Sequence, residues 1–368
     1  MTANHSDLAT SSPTPLHSPL RWVVVGCGHI GRRHMEHISK HPQTQLVGMV
    51  DVLPASECGA AQFAGVSFYP SVEELLERGG DTFDVASICV PNGLHYPIAL
   101  ELIKAGKSLL IEKPAVLHPD EGEELIALAK AHGCHLYSVL QNRFTPVSAW
   151  LHQMIEEKRL GKLYQIELQC LWNRDERYYL PRRWHGDLKL DGGTLFTQYS
   201  HFLDLLIWCF GMPKVQGGSF YNYNHQTMVD FEDSGVVQLT FPQDTTGLLT
   251  YSTAVYGTNC GVRLTVLGER GCIVLDGPFM NRLAHCVIDG YDRPDLGESE
   301  PGNAYGAYSG SAQNHHFVID HTARTLLGDP TAQAVEIEDA LRVVRLIRNI
   351  YQYNPYLRQV VTRKPLTL

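Results

Sequence analysis

A lysine closes the apolar run SLLIEKP: Lys113, with Glu112 before it and Pro114 after it. The end of a buried strand is a costly place for an unpaired charge. Desolvation lowers a lysine from its ordinary pKa of about 10.4, and the amine can then handle protons near neutrality. A second candidate is His201 in TQYSHFLDLL, on a mostly apolar helix with Thr197 one turn before it and Asp204 three residues after it. On its own, this histidine reads as a core residue more readily than as a proton carrier.

A third group is GCGHIG, in which Gly26, Gly28 and Gly31 bracket His29 and Ile30. It follows the β-branched run RWVVV and opens a helix, the setting in which G-x-G-x-x-G binds a dinucleotide. The glycines permit a tight turn, a close approach to pyrophosphate and close helix–strand packing. The helix N-terminus faces the phosphate charge. Asp51 ends the second strand, where a carboxylate accepts the hydroxyls of an adenine ribose and repels a 2′-phosphate. Val52 and Leu53 bring no compensating cation, so NAD is expected rather than NADP.

These residues need a frame. From Arg21 to about residue 145, short apolar runs alternate with helical patterns, which implies a parallel sheet covered on both faces. PASECGAAQFAG reads as a helix, and Ser71 with Glu74 as a capping box. In such a sheet ligands bind at the carboxyl ends of strands. The loops VPNGLHY (Pro91, Asn92, His95) and EKP should therefore flank the nicotinamide. After residue 145 the pattern turns to strands with few helices, and turn signals suggest antiparallel neighbours. Two helices close the chain, near 314–327 and 337–351. The expected fold is α/β: a polar tail over 1–20 expected to be disordered, a Rossmann domain over 21–145, and an α+β domain over 146–368 for substrate and oligomer contacts.

Composition narrows the function. A net charge of −9 with no basic run argues against nucleic acid and anionic membranes as partners. Nine cysteines without a C-x-x-C pair read as reduced thiols of a cytoplasmic protein. No signal peptide or membrane span is evident. His34, His37 and His41 on the first helix, and His315 and His316 near the end, are read as exposed or interface positions, so no metal is expected. Arg143, Arg174, Arg177, Arg182 and Arg183 suit an anionic ligand. Tyr178, Tyr179 and Trp184 could cover a sugar, a base or the nicotinamide.

The ordered set G-x-G-x-x-G, P-N-x-x-H, E-K-P, and a glycine pair leading to H-x-x-D resembles the Gfo/Idh/MocA family of sugar and polyol oxidoreductases. The resemblance implies a second domain with a large open, mainly antiparallel sheet, and a homodimer or homotetramer paired through it. It implies that Lys113 and His201 form the proton-handling pair while the substrate carbon gives hydride to NAD. One position departs: the family's D-x-x-x-H has Thr197 in place of aspartate, which weakens the inositol-dehydrogenase pattern. The segment with Gln198 and His201 resembles the branch that oxidises UDP-N-acetylglucosaminuronic acid at C3, and this implies a sugar-nucleotide substrate. Arg143, Arg177, Tyr179, Gln198 and His201 are the expected substrate contacts. Trp184, with the glycine turn, Asp51, Pro91, Asn92, His95, Glu112 and Lys113, is expected at the cofactor. Alternatives are another sugar or polyol dehydrogenase, a reductase of a small diol or imine, and a non-catalytic ligand sensor on the same fold. The joint presence of Lys113 and His201 favours an enzyme.

Overall fold

The computed structural model describes residues 16–357 apart from 183, 298, 300, 305 and 307. Residues 1–15 of the tail expected to be disordered lie outside the described residues, as does Arg183; the rest of it is ordered, with Leu16 donating its N–H to the Leu326 carbonyl at 2.9 Å and Leu20 opening the first strand.

The N-terminal half holds β1 (Leu20–Val25), α1 (His29–Lys40), β2 (Thr44–Val50), β3 (Ser67–Tyr69), α2 (Val72–Gly79), β4 (Val85–Ile88), α3 (His95–Lys104), β5 (Ser108–Ile111), α4 (Pro119–His132) and β6 (Leu136–Ser138). Its six strands run parallel in the order β3-β2-β1-β4-β5-β6. This order puts the topological switch point between β1 and β4. Alternation along β1 sends Trp22 and Val24 into one core and Val23 and Val25 into the other. Ser71 caps α2 by accepting from the Glu74 N–H at 3.1 Å. The stretch after Pro54 is two 3-10 turns, Ala55–Glu57 and Gly59–Gln62, rather than one helix. Gly59 donates its N–H to the Cys27 carbonyl, and a Cβ there would lie 2.7 Å from that oxygen, so the chain is pinned to the glycine turn instead of winding on.

The second half holds α5 (Pro146–Glu156), β7 (Leu163–Leu171), α6 (Glu176–Tyr179), a π-helical turn at Leu195–Tyr199, α7 (Ser200–Phe210), β8 (Lys214–Tyr221), β9 (Ser234–Phe241), β10 (Thr245–Ser252), β11 (Gly261–Gly268), β12 (Gly271–Asp276), β13 (Arg282–Ile288), β14 (Gly302–Ala304), β15 (Ser309–Ala312), α8 (His315–Leu326) and α9 (Ile337–Tyr351). Seven strands form a sheet ordered β13-β12-β11-β7-β10-β9-β8. Its neighbours are antiparallel except β7 and β10. Val236 and Val287 on this sheet are exposed. Helix α7 is almost wholly buried, and Phe202 packs edge-on against Trp172 at 5.5 Å.

Helix α8 returns to the N-terminal half. Its Val318, Ile319, Ala323 and Leu326 share a core with Met35 and Ile38 of α1 and with Trp22 of β1. All nine cysteines are free thiols. Among the described residues no helix is long and apolar enough to cross a membrane.

Gly31 sits so close beneath the turn that a Cβ would lie 1.7 Å from the Gly26 carbonyl oxygen. Gly31→Ala should therefore force β1 and α1 apart and destabilise the protein by about 1–3 kcal/mol, the usual cost of overpacking. The urea midpoint checks this, and an unchanged midpoint would show that the turn relaxes freely.

Candidate active site

A cavity of about 1300 Å³ runs along the carboxyl ends of the parallel strands and under the second half. Gly26, Gly28, His29 and Ile30 line it at the turn after β1, and Asp51 lines it after β2. Gly26 has φ +92°, a conformation costly to a side-chain-bearing residue. Asp51 is fixed by two backbone donors, Cys27 N–H at 2.6 Å and Leu53 N–H at 2.9 Å. This cradle fits a dinucleotide: no side chain fills the turn, the α1 N-terminus faces it, and a carboxylate waits where a ribose would lie.

Farther along, the two strand-end loops are locked to each other. His95 is fully buried, with its ring nitrogens 2.8 Å from the Pro114 carbonyl and 2.9 Å from the Val90 carbonyl. Asn92 donates to the Asp191 carbonyl and to Thr197 Oγ1, both at 2.8 Å. Lys113 donates from Nζ to the Thr197 carbonyl at 2.9 Å. Pro91, Asn92, His95, Glu112, Lys113, Trp184, Gln198 and His201 all line the cavity.

The charges on this floor follow from burial and neighbours. Burial lowers Lys113 from the ordinary lysine value, opposed mainly by the Glu112 carboxylate. Burial and then the Lys113 charge hold His201 well below the ordinary imidazole value, so it is neutral at pH 7. His201 Nδ1 is buried without a partner among the described residues. Burial alone would raise Glu112, but hydrogen bonds from His315 and His34 outweigh it and keep the carboxyl well below its usual range.

That last pairing revises the sequence reading. His34 and His315 are each 1 % exposed, not surface residues, because α8 covers α1. Their Nε2 atoms lie 3.0 and 3.4 Å from the same Glu112 Oε1. Trp22 Nε1 donates to Ser87 Oγ at 2.9 Å, and Ser87 Oγ lies 3.2 Å from His34 Nδ1. The chain of donors leaves the His34 proton on Nε2, facing the carboxylate. Glu112 Oε2 accepts the Lys113 backbone N–H at 3.1 Å.

The position where the family pattern has aspartate is also explained. Thr197 Oγ1 donates to Asp191 Oδ1, so a carboxylate reaches this spot from six residues upstream. Burial raises Asp191 to about 6, against hydrogen bonds from the Gly186 N–H and Thr197. Nothing in LDGG marked Asp191 beforehand except its place before the glycine pair.

Other expectations change. Arg143 does not line the cavity: it forks onto Asp204 at 2.8 and 2.6 Å and reaches Asp339 at 2.7 Å, joining the turn after β6 to α7 and α9. Asp204 is thereby committed to Arg143. Arg177 is exposed and pairs with Asp175 at 2.6 Å. Tyr179 is buried away from the cavity against Tyr178 and His225, and Tyr178 lines the cavity instead. Successive helical residues point about 100° apart, so one short helix presents only one of the pair. Gln198 is held by Arg174 Nε and by Tyr178 OH, both at 2.7 Å. Sequence reasoning missed Asn303, Tyr308 and Ser311 of the β14–β15 hairpin, which form one wall and carry no motif.

Comparison with known proteins agrees with this geometry. Residues 20–140 match the family model described as "Oxidoreductase family, NAD-binding Rossmann fold", and residues 149–274 match the GFO/IDH/MocA C-terminal domain. The myo-inositol dehydrogenase Hyg17 of Streptomyces leeuwenhoekii is 31% identical over 255 residues, covering 68% of this chain and 74% of that protein. The WlbA dehydrogenase of Bordetella pertussis, crystallised with NADH and UDP-GlcNAcA, superposes with a TM-score of 0.80 at 26% identity, covering 95% of this chain and 99% of that one. WlbA of Chromobacterium violaceum, with the same two ligands, gives 0.81 at 25% identity over 98% and 100%.

Two outcomes are expected. Asp51→Ala should weaken NAD by roughly 10–100-fold, the worth of hydrogen bonds to a charged group, and relax discrimination against NADP; cofactor titration by fluorescence checks it. A lysine that takes a proton must start neutral, so any turnover that uses Lys113 as its base should show kcat/KM rising with pH through a value below that of an exposed lysine. Lys113→Ala should remove that limb and cut turnover by about 10²–10⁴-fold.

Proposed function

Since the chain belongs to the Gfo/Idh/MocA oxidoreductase family and is an NAD-dependent dehydrogenase of it, we propose that it oxidises the C3 hydroxyl of UDP-N-acetylglucosaminuronic acid. The observation that carries this reading is the near-full-length likeness to WlbA, which was crystallised with UDP-GlcNAcA, joined to a cavity of this chain lined by Lys113, Gln198 and His201. The open sheet of the second half would pair two or more copies, and the work would be done in the cytoplasm.

NAD, bound along the glycine turn and Asp51, supplies the hydride acceptor. The protein's part is to hold the sugar and move one proton. Lys113 is anchored through Nζ to the Thr197 carbonyl, which leaves its remaining valences for the substrate oxygen. As the carbon gives up hydride, its hydroxyl proton passes to the neutral amine of Lys113. His201, neutral and with Nδ1 unpartnered among the described residues, orients the same hydroxyl or takes the proton onward. Asp191, through Thr197, holds the backbone that anchors the lysine. Gln198 is fixed from both ends of its amide and presents a rigid wall to the sugar. The gain is mainly positioning and charge complementarity.

A neutral polyol is the second reading, favoured by the 31% identity to a myo-inositol dehydrogenase. A stoichiometric mixture of protein and NAD, followed at the absorbance of reduced nicotinamide, separates the two. A burst with UDP-N-acetylglucosaminuronic acid and none with myo-inositol is expected. The opposite pattern would discard the sugar nucleotide and keep the dehydrogenase.

A further inference from the structure

Among the described residues, the lysine and arginines lining the cavity are Lys113, Arg174 and Arg182. Two of them are already committed. Lys113 is anchored to Thr197. Arg174 is 2 % exposed and spends Nε on Gln198, Nη1 on the Asn173 carbonyl and Nη2 on the Ser309 carbonyl. Its guanidinium also lies over the rings of Trp172, Tyr178 and Tyr308 at 4.7, 5.3 and 5.2 Å. Arg174 is a structural strut.

Arg182 differs. It is half-buried in the segment between α6 and the π-helical turn, and its guanidinium makes no hydrogen bond or ion pair with any described residue. Its loop neighbour Asp187, which also lines the cavity, turns Oδ1 onto the backbone N–H groups of Lys189 and Leu190. The wall around Arg182 is aromatic: Trp184, His185 stacked on Tyr178 at 4.1 Å, and Tyr308. An aromatic wall excludes water and strengthens whatever ion pair forms against it. The Arg182 charge also reaches the α1 N-terminus, where, after burial, it contributes to lowering His29.

We propose that Arg182 is the anion clasp of the substrate site, binding a phosphate or carboxylate carried by the sugar substrate through a planar fork that no described residue engages. The fork matches both groups in a bidentate fashion. The cofactor's own pyrophosphate already has the glycine turn and the α1 N-terminus, whereas Arg182 arrives from the half of the chain that supplies Gln198 and His201. Arg182 therefore selects charged sugars over neutral polyols that the floor of the site would accept equally well. This assignment rests on reading the cleft as a sugar-oxidising site.

The test is calorimetric binding to the full chain loaded with NADH. The probes are UDP-N-acetylglucosaminuronic acid, UDP, glucuronate and myo-inositol. Arg182→Gln should weaken UDP-N-acetylglucosaminuronic acid by roughly 10–100-fold, as expected for loss of a charge-assisted pair. Arg182→Lys should fall between, since it keeps the charge and loses the fork. NADH affinity, thermal midpoint and any myo-inositol binding should stay within about twofold of wild type or unshifted, on the same reasoning that the clasp touches only the anion. A matching loss for UDP identifies phosphate as the clasped group, and a matching loss for glucuronate identifies carboxylate. Unchanged affinity, a parallel loss of NADH, or a wild type that binds none of the anionic probes would overturn the proposal. Binding needs no turnover, so Arg182-dependent binding without NAD reduction would sink the C3 oxidation and leave the clasp standing.

Discussion

A single buried carboxylate holds the site together. Glu112 directly follows β5, and its oxygens bind one imidazole from α1, one from α8 and the backbone N–H of Lys113. An ion this far from water would cost several kcal/mol if left alone. Here hydrogen bonds surround it, and its charge in turn supports the neighbouring lysine. Three elements distant in sequence converge on one atom group, which fixes the strand end from which Lys113 projects. The cavity floor thus rests on a buried, hydrogen-bonded carboxylate.

Above that floor, the second half supplies one continuous segment, 184–201, that carries Trp184, Asp191, Thr197, Gln198 and His201. The π-helical turn at Leu195–Tyr199 lets Thr197 turn its hydroxyl to Asp191 and its carbonyl to Lys113. The acid and the lysine thus meet through a threonine rather than face to face. Such π turns recur at functional sites, where one extra residue re-aims side chains.

Much of this was legible in the chain, and the limits have a physical origin. The glycine turn, Asp51, and the loops at the ends of β4 and β5 follow from local patterns: strand, turn and helix within about thirty residues. Lys113 stood out because a charge beside an apolar run demands an explanation. The arginines did not sort themselves. Arg143 looks like Arg182 in sequence, and only Asp204 and Asp339, brought in by α7 and α9, decide that it is a strut. His34 and His315 misled for the same reason: exposure was inferred from each helix alone, while burial came from the packing of α8 on α1. The 3-10 turns after Pro54 were misread because their competing partner, the Cys27 carbonyl, belongs to another loop.

The return of α8 gives the cofactor-binding half an unusual order of assembly. Strands β1 to β6 leave the ribosome long before residues 315–326, yet Trp22, Met35 and Ile38 find part of their apolar cover only on that helix. Until it emerges, the outer flank of the nascent sheet stays greasy and Glu112 lacks one of its two imidazoles. The first half of the chain is thus left with part of one face uncovered, and its completion waits for the second. A protein built this way links maturation of its nucleotide cradle to synthesis of nearly the whole polypeptide, so prematurely terminated chains would be left with an unfinished cradle.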